Sequence, residues 1–269
     1  SDGFSIISQA ANHIACLKHI PVGVDNNPDF IPAIQTNSTK TGWGGSTKRA
    51  VERLEKGQSP TKSGERGGAG NGVVMKLAPL ALWHFAKQTP KPQRDRELNA
   101  LTKMTHDSSE AVVASAVHSE VLQFLLSVDG DDFDGTQFLH RVTAIAERYE
   151  TQYRTSPTLS QKLNCLASAV VKTGVDTDTI HSVASGGGFY VPETLAMVYG
   201  NFTRVNTFPE SVFSVIGLGG DTDSTSSITA TMSLLLHGTF EAPEDFEQTF
   251  DYARLHRIST DLARCALRS

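Results

Sequence analysis

The sequence Gly219-Gly220-Asp221-Thr222-Asp223-Ser224-Thr225 continues into small and apolar residues over 226–238. Its spacing predicts a helix over 223–237 that opens on polar residues. Helical apolar spacing recurs through the chain, and strict alternation rich in Val, Ile and Thr is rare, so a sheet is not expected. The sequence therefore predicts a compact all-α fold with one domain over 1–269. Further helices are expected around 46–57, 133–152, 158–173 and 191–204.

One long helix carries its own start signal. Asp107 followed by Glu110 predicts a capping box, and Val113, Val117 and Val121 then fall on one helical face. This segment is predicted to be a core helix.

Charge and apolar content exclude several classes of protein. A formal net charge of -5 argues against a general electrostatic grip on nucleic acid or on an anionic membrane. No apolar run approaches the ~20 residues that span a bilayer, so no membrane span is expected. Cys16, Cys165 and Cys265 lie far apart in apolar contexts, which predicts buried free thiols. A cytoplasmic or other reducing compartment is expected, and secretion by a route without a signal peptide stays open.

The side chains of Asp221, Asp223 and Ser224 offer oxygen ligands within four residues of one another. Such ligands suit Mg²⁺ or Ca²⁺. The alternative is that one of these side chains merely caps the helix. Residues 175–179, Val-Asp-Thr-Asp-Thr, serve as an internal control because they lack the glycine pair, and we interpret them as a helix cap.

Glycine is concentrated in four places, each next to a predicted helix start. Helical proteins need glycine between helices, which accounts for any one cluster. Four clusters favour a site where the backbone comes close to a ligand. They lie at 42–45, 64–72, 186–188 and 217–220.

Four of these stretches together resemble the ADP-ribosylglycohydrolases, a family that includes the dinitrogenase-reductase-activating glycohydrolase. Residues 219–224 resemble its C-terminal metal motif, Gly-Gly-Asp-Thr-Asp-Thr/Ser. Residues 42–47 resemble Gly-Trp-Gly-x-Ser-Thr, and 70–79 resemble Gly-Asn-Gly-x-x-Met-Arg-x-x-Pro. Residues 188–195 resemble the helix start that precedes the metal motif, and Thr105-His106 falls where the family carries a Thr-His pair. The resemblance runs from Ser1 to about residue 240.

The resemblance implies a multi-helix bundle with a ligand cleft, usually holding two Mg²⁺ ions beside the distal ribose of ADP-ribose. Asp2 and Asp223 become the candidates for orienting the attacking water. For His106, a surface or packing role stays open. The implied ligand-binding residues are Gly44, Gly45, Gly70, Asn71, Gly72 and His106, and the implied Mg²⁺ ligands are Ser1, Asp2, Asp221, Asp223 and Ser224.

The N-terminus departs from the family pattern. The family's Thr-Asp-Asp-Thr motif has its counterpart in Ser1-Asp2-Gly3-Phe4, where Gly3 removes one carboxylate and Phe4 replaces a polar group. Loss of a negative ligand predicts weak occupancy of a second Mg²⁺ site. Ala69 stands where some members carry an aromatic residue that stacks on adenine. The family's upstream block is not in this sequence, and removal of an initiator, cleavage of a tag or a missing upstream segment would explain the start equally well.

These features predict a Mg²⁺-assisted N- or O-glycosyl hydrolase that removes ADP-ribose from a modified protein side chain or a small conjugate. The alternative is a catalytically inactive relative that binds ADP-ribose or has a structural role. A hydrolase of unrelated substrates on the same scaffold is the third interpretation. Residues 129–135 lack the glycine and glutamate that an EF-hand needs, and 64–68 lack the Gly-Lys-Ser/Thr of a P-loop.

Overall fold

The computed structural model describes residues 3–18, 44–171, 174–185, 187–204, 207–238, 241–248 and 252–267. Within these ranges the chain forms twelve α-helices, three 3-10 turns and two very short strands. In chain order the helices and strands are α1 (Ile6–Lys18), α2 (Gly45–Glu55), β1 (Glu65–Arg66), α3 (Ala78–Ala86), α4 (Lys91–Lys103), β2 (His106–Asp107), α5 (Ser109–Leu125), α6 (Gly135–Tyr153), α7 (Thr158–Ala169), α8 (Thr177–Ala184), α9 (Val191–Phe202), α10 (Phe208–Gly217), α11 (Thr222–His237) and α12 (Tyr252–Leu267). The 3-10 turns are Asn71–Val73, Gly130–Asp132 and Phe246–Gln248. The predicted all-α class is confirmed.

Two helices run through the centre of the molecule. In α9 every residue except Glu193 is buried, and in α5 buried residues occupy all sides of the helix over most of its length. A helix that is apolar on all sides has to be enclosed by other helices. Helices α6, α8 and α11 pack against α9 and cover it. The predicted core helix over Val113, Val117 and Val121 is confirmed.

An aromatic cluster joins α6 to these central helices. The ring of Phe138 lies 5.6 Å from that of Tyr199 and 5.7 Å from that of Phe202, in edge or tilted arrangements. The buried Tyr199 hydroxyl lies 3.0 Å from His118 Nδ1 on α5, which satisfies both polar groups. Burial lowers the pKa of His118 to about 3, so this histidine is neutral in the folded core.

Where the observed helix ends differ from the predicted ones, they differ by one to four residues. The cap of α5 is Ser108, whose Oγ accepts from Ala111 N at 3.1 Å, and Asp107 lies in β2 instead of forming the predicted capping box. Helix α6 starts at Gly135 because the Asp134 carboxylate accepts from the N–H groups of Thr136 and Gln137. Helix α7 ends at Ala169, short of the predicted 173, and α9 ends at Phe202, short of 204.

A two-residue parallel pair joins β1 to β2, with Glu65 opposite His106. This pair is too short to produce an alternating sequence pattern. Its close approach depends on Gly64, because a Cβ there would stand 2.1 Å from the carbonyl oxygen of Lys103. Glu65 also accepts ion pairs from Arg49 at 2.9 Å and Arg53 at 2.7 Å, which fasten the start of this loop to α2. The pairing places His106 beside the glycine-rich loop 64–72.

The prediction of buried cysteines is wrong for two of the three residues. Cys165 on α7 and Cys265 on α12 are free thiols on exposed positions. Leu163 and Leu166 near Cys165 are buried, as is Ala266 next to Cys265, whereas the two thiols lie on exposed sides of their helices. The side chain of Cys16 lies outside the described residues. Among the helices that the structure describes, none is both long and apolar enough to cross a membrane.

Candidate functional site

The side-chain amide of Asn71 connects two of the glycine-containing motifs. Its Nδ2 donates to Asp221 Oδ2 at 2.5 Å and to the carbonyl oxygen of Gly188 at 2.8 Å. Asn71 is buried, and Asp221 lies 150 residues further along the chain. One buried amide thus holds the Gly-Asn-Gly loop against the start of α11.

Backbone hydrogen bonds complete this junction. The N–H of Asn71 donates to Phe189 O at 3.0 Å, and the N–H of Val191 donates to Ala69 O at 2.8 Å. The N–H of Asp221 donates to Gly187 O at 3.0 Å. The blocks around 70, 188 and 221, which the sequence presents far apart, therefore meet at one place.

Asp221 does not cap α11 with its side chain. It occupies the N-cap position, yet its carboxylate accepts no hydrogen bond from the backbone N–H groups of the first turn and instead faces Asn71. The alternative that this side chain is a simple cap is therefore wrong. Gly219 and Gly220 precede it with φ values of 76° and 74°, a left-handed pair that glycine adopts without strain and that turns the chain into the helix.

The side chains of Asp221, Asp223 and Ser224 are close neighbours at the start of α11. The Asp221 side chain contacts those of Asp223 and Ser224, and Asp223 Oδ1 also accepts from Ser224 N at 2.9 Å. Burial raises the pKa of Asp221, and the neighbouring Asp223 carboxyl raises it further. Two adjacent carboxylates repel each other, and a bound cation would relieve that repulsion. Their oxygen atoms are also the hard ligands that such cations prefer.

The other predicted metal ligands, Ser1 and Asp2, lie outside the described residues. Gly3 is exposed, and Phe4 is partly buried against the hydrophobic core. Across the described ranges, no group of three or more His, Cys, Asp or Glu side chains is arranged to hold a metal ion.

The start of α2 faces the glycine-rich loop. A Cβ at Gly68 would stand 3.0 Å from Ser46 Oγ, and one at Gly72 would stand 3.6 Å from Thr47 Oγ1. Gly44 is the N-cap of α2, and no side chain caps this helix start. Among the described residues, no side chain caps the first N–H groups of α2, and anion-binding helix starts require uncapped N–H groups. Gly44 and Gly45 are both exposed here, whereas residues 42 and 43 lie outside the described ranges.

His106 lies beneath the same loop. It is only 2% exposed, so the surface role left open from the sequence is wrong. Its Nε2 lies 3.6 Å from where a Cβ of Gly70 would stand, and its Nδ1 lies 2.9 Å from Thr105 Oγ1. Burial, with a smaller contribution from the charge of Lys76, lowers the pKa of His106 to about 4. This imidazole is neutral at physiological pH.

Lys76 is the residue that sequence reasoning overlooked. Its Nζ donates to Thr105 Oγ1 at 2.5 Å, so Lys76, Thr105 and His106 form a chain of contacts under the glycine loop. Burial lowers the pKa of Lys76 to about 7. A sequence signal existed, because Lys76 is a lone cation in the otherwise apolar run 73–79 and replaces the arginine of the family block.

Comparison with known proteins agrees with this arrangement. The family model for ADP-ribosylglycohydrolase matches residues 10–268. A solved structure titled "ADP-ribosylglycohydrolase-related protein complex" is 21% identical, with a TM-score of 0.62, covering 97% of this chain and 81% of that one. This likeness concerns the helical fold. No curated protein matches the chain.

The conclusion on the family rests on the extent of the match, which spans nearly all of the sequence and includes every motif that meets at Asn71. The chain therefore belongs to the ADP-ribosylglycohydrolase family, and this membership implies ADP-ribosyl hydrolase activity in general.

Proposed function

We propose that this protein hydrolyses the glycosidic bond between ADP-ribose and a modified protein side chain or small conjugate, with Mg²⁺ bound at the start of α11. The Asn71 bridge carries the proposal. It joins a glycine loop that could accept a nucleotide to the Asp221, Asp223 and Ser224 cluster, whose carboxylates could act at the scissile bond. A binding surface and reactive groups are thus within one site.

Binding would use backbone more than side chains. Gly70 and Gly72 bring bare backbone close to His106 and Thr47, and no described side chain caps the first N–H groups of α2. Such N–H groups suit a diphosphate. Residues with side chains at 70 and 72 would narrow the space above the imidazole.

His106 would donate a hydrogen bond to the ligand. Lys76 donates to Thr105 Oγ1, which leaves the Thr105 hydroxyl hydrogen free to donate to His106 Nδ1. In that arrangement the neutral ring carries its proton on Nε2, the nitrogen beside Gly70. A neutral N–H at this point suits a ribose hydroxyl.

For the chemical step, Asp223 is the best-placed described carboxylate. It is exposed at the start of α11, whereas Asp221 is partly buried and occupied by Asn71. Asp223 would orient a water molecule and accept its proton as the water oxygen bonds to the anomeric carbon and the bond to the leaving nitrogen or oxygen breaks. The proton then passes to that leaving atom, which completes the addition of water across the bond. Asp2 is the second candidate for this role, by resemblance to the family motif.

The residues present fit a hard divalent cation. Asp221, Asp223 and Ser224 supply two carboxylates and a hydroxyl within contact distance of one another, and Ser1 and Asp2 would add ligands by resemblance. When bound, Mg²⁺ would orient ribose hydroxyls and stabilise negative charge. The absence of a carboxylate at Gly3 favours a single well-occupied ion over two.

Two measurements test the proposal. Calorimetry should detect ADP-ribose with a micromolar dissociation constant, about 8 kcal/mol at 1 μM. Release of ADP-ribose should then be followed on arginine-, serine- and ester-linked substrates with Mg²⁺. Absence of any binding at millimolar ADP-ribose would refute the cleft itself.

The second candidate is a relative that binds ADP-ribose without turning it over. Phe4 favours it, because this apolar ring packs against the core where the family has a polar group. Micromolar ADP-ribose binding together with intact substrates of all three linkages would support the binder and overturn the enzyme.

A further inference from the structure

A cavity lies between the start of α1, the segment around Lys76 and α12. It has a volume of about 390 Å³, within the range of small-molecule sites. Its walls come from the residues just before α1, from α1 itself, from α3 and α4, and from α12. None of the three α11 residues of the proposed site lines it, and neither do Gly70 and Gly72. This cavity is therefore not accounted for by the proposed function.

The walls are mostly apolar and include two large aromatic rings. Phe4 and Trp83 face the cavity together with Leu262 of α12. Aromatic rings in such a wall favour a flat, apolar ligand body. Each of the three is partly exposed, so the surface is accessible to a ligand.

One cation lies in this apolar surround. Among the described lining residues, Lys76 is the only lysine or arginine, and none is a carboxylate. Its ammonium contacts the neutral hydroxyl of Thr105, and no ion pair is formed with any described acidic residue. Gln9 and His13 of α1 and Cys265 of α12 complete the polar part of the described wall. Burial and Lys76 both lower the pKa of His13, so it adds no lasting positive charge.

A buried ammonium without a counter-ion is costly, and an incoming anion would relieve that cost. A phosphate dianion would call for several converging donors, typically from arginine. The described lining provides one lysine, which matches a single carboxylate. The apolar remainder of the wall then has to be matched by the rest of the ligand.

We propose that this cavity binds a small aromatic carboxylate, with its acid group on Lys76 and its ring against Phe4, Trp83 and Leu262. The inference does not require the proposed hydrolase activity, although Lys76 also contacts His106 of the ADP-ribose site through Thr105. Under this proposal Lys76 binds an aromatic carboxylate and not ADP-ribose.

The test compares two probes of nearly equal shape, 1-naphthoate and the neutral 1-naphthamide. Calorimetry on the full chain should give a dissociation constant for 1-naphthoate in the millimolar range or below. The amide should bind at least about tenfold more weakly, since it lacks the charge that pairs with Lys76. Equal affinity for acid and amide, or no binding of either at saturating probe, would overturn the proposal.

Two substitutions at one position separate charge from shape. Lys76→Met keeps the length of the side chain and removes the cation, so affinity for 1-naphthoate should fall by at least about tenfold, to that of the amide. Lys76→Arg keeps the cation and should retain most of the affinity. If Lys76→Met binds 1-naphthoate as the unaltered protein does, the assignment is wrong.

A third variant distinguishes this site from the hydrolase site. Asp223→Ala should leave 1-naphthoate binding unchanged, whatever it does to ADP-ribose release. A loss of 1-naphthoate binding in Asp223→Ala would overturn the separate site. Failure of the hydrolase assay alone would leave the carboxylate site supported by its own measurements.

Discussion

The chain contains the tripeptide Asp-Thr-Asp twice, each time at the start of a helix, and the two copies behave differently. At α8 the Asp176 carboxylate accepts from Thr179 N at 2.9 Å and from Thr179 Oγ1 at 2.7 Å, so it closes a local cap. At α11 the Asp221 carboxylate makes no cap and contacts Asn71 instead. The prediction that residues 175–179 form a cap is confirmed.

The two copies also differ in charge environment. Hydrogen bonds from Thr179 lower the pKa of Asp176, whereas burial and the Asp223 carboxyl raise that of Asp221. A carboxylate whose charge is satisfied locally is structural, and one left with a second carboxylate beside it is available for a cation or a reacting group. Identical side chains are therefore assigned different roles by their surroundings.

The largest expected difference between the two copies is catalytic. Asp223→Ala should reduce release of ADP-ribose by at least about 100-fold, because it removes the carboxylate proposed to orient water. Asp178→Ala is the matched control, since Asp178 occupies the same position in the other copy and is equally exposed. It should keep activity within about twofold. The measurement is initial velocity on whichever linkage the protein cleaves.

Circular dichroism should show the same helix content in both variants. Equal activity in Asp223→Ala and the unaltered protein would move catalysis elsewhere and remove the functional distinction between the two helix starts.

The next effect concerns the bridge itself. Asn71→Ala should lower the free energy of unfolding by about 1–3 kcal/mol, because Gly188 O and Asp221 Oδ2 lose a buried donor. It should also weaken ADP-ribose binding. Asn164→Ala, which removes an exposed hydrogen bond of 3.1 Å to Glu147, should change stability by no more than about 0.5 kcal/mol. Denaturant unfolding checks both variants. Similar losses of unfolding free energy would mean that the Asn71 bridge stabilises the fold no more than an exposed hydrogen bond does.

Metal binding gives a smaller difference. Mg²⁺ at about tenfold above its dissociation constant should stabilise the unaltered protein by about 1.4 kcal/mol, and the melting temperature should rise by a few degrees. Asp223→Ala should lose this rise and Asp178→Ala should keep it. Chelation with EDTA should reverse it. A rise that survives in Asp223→Ala would refute the assignment of Mg²⁺ to α11.

The smallest expected effect is on the melting temperature, where substitutions of Asp176 and Asp221 should act with opposite sign. Asp176 has a lowered pKa, so its charge contributes stability above the unfolded pKa, and that stability is lost as pH falls through the folded value. Asp221 has a raised pKa, so its charge destabilises the fold at neutral pH, and the penalty is relieved as pH falls through the raised value. In EDTA at pH 7, Asp176→Asn should lower the melting temperature and Asp221→Asn should raise it. Shifts of the same sign would contradict the two environments.

Local patterns made much of this protein predictable. The helical spacing of Val113, Val117 and Val121, the proline near the start of α9 and the caps around 134 and 176 act within a few residues of one another. Helix class and approximate bounds therefore follow from sequence. Cap identity at 107–108 was wrong because Asp107 extends into β2, and that pairing depends on a residue from another part of the chain.

The proposed site was likewise predictable in part from sequence. The motifs at 42–47, 70–79 and 219–224 identified its residues from sequence and resemblance, and the chemistry of two carboxylates and a hydroxyl needed no coordinates. Sequence could not distinguish a capping Asp221 from one that contacts Asn71, because both have the same local neighbours. The separation of 150 residues between those two side chains is closed only by packing.

The sequence alone determined the helical class, the family motifs and the residue types available for chemistry. The tertiary structure decided that Asp221 is bridged, that His106 is buried and neutral, and that Lys76 faces an apolar cavity. The difference lies in the separation along the chain over which each interaction acts. Helix propensity and capping act over three or four residues, whereas desolvation and charge pairing depend on groups that come from distant parts of the chain.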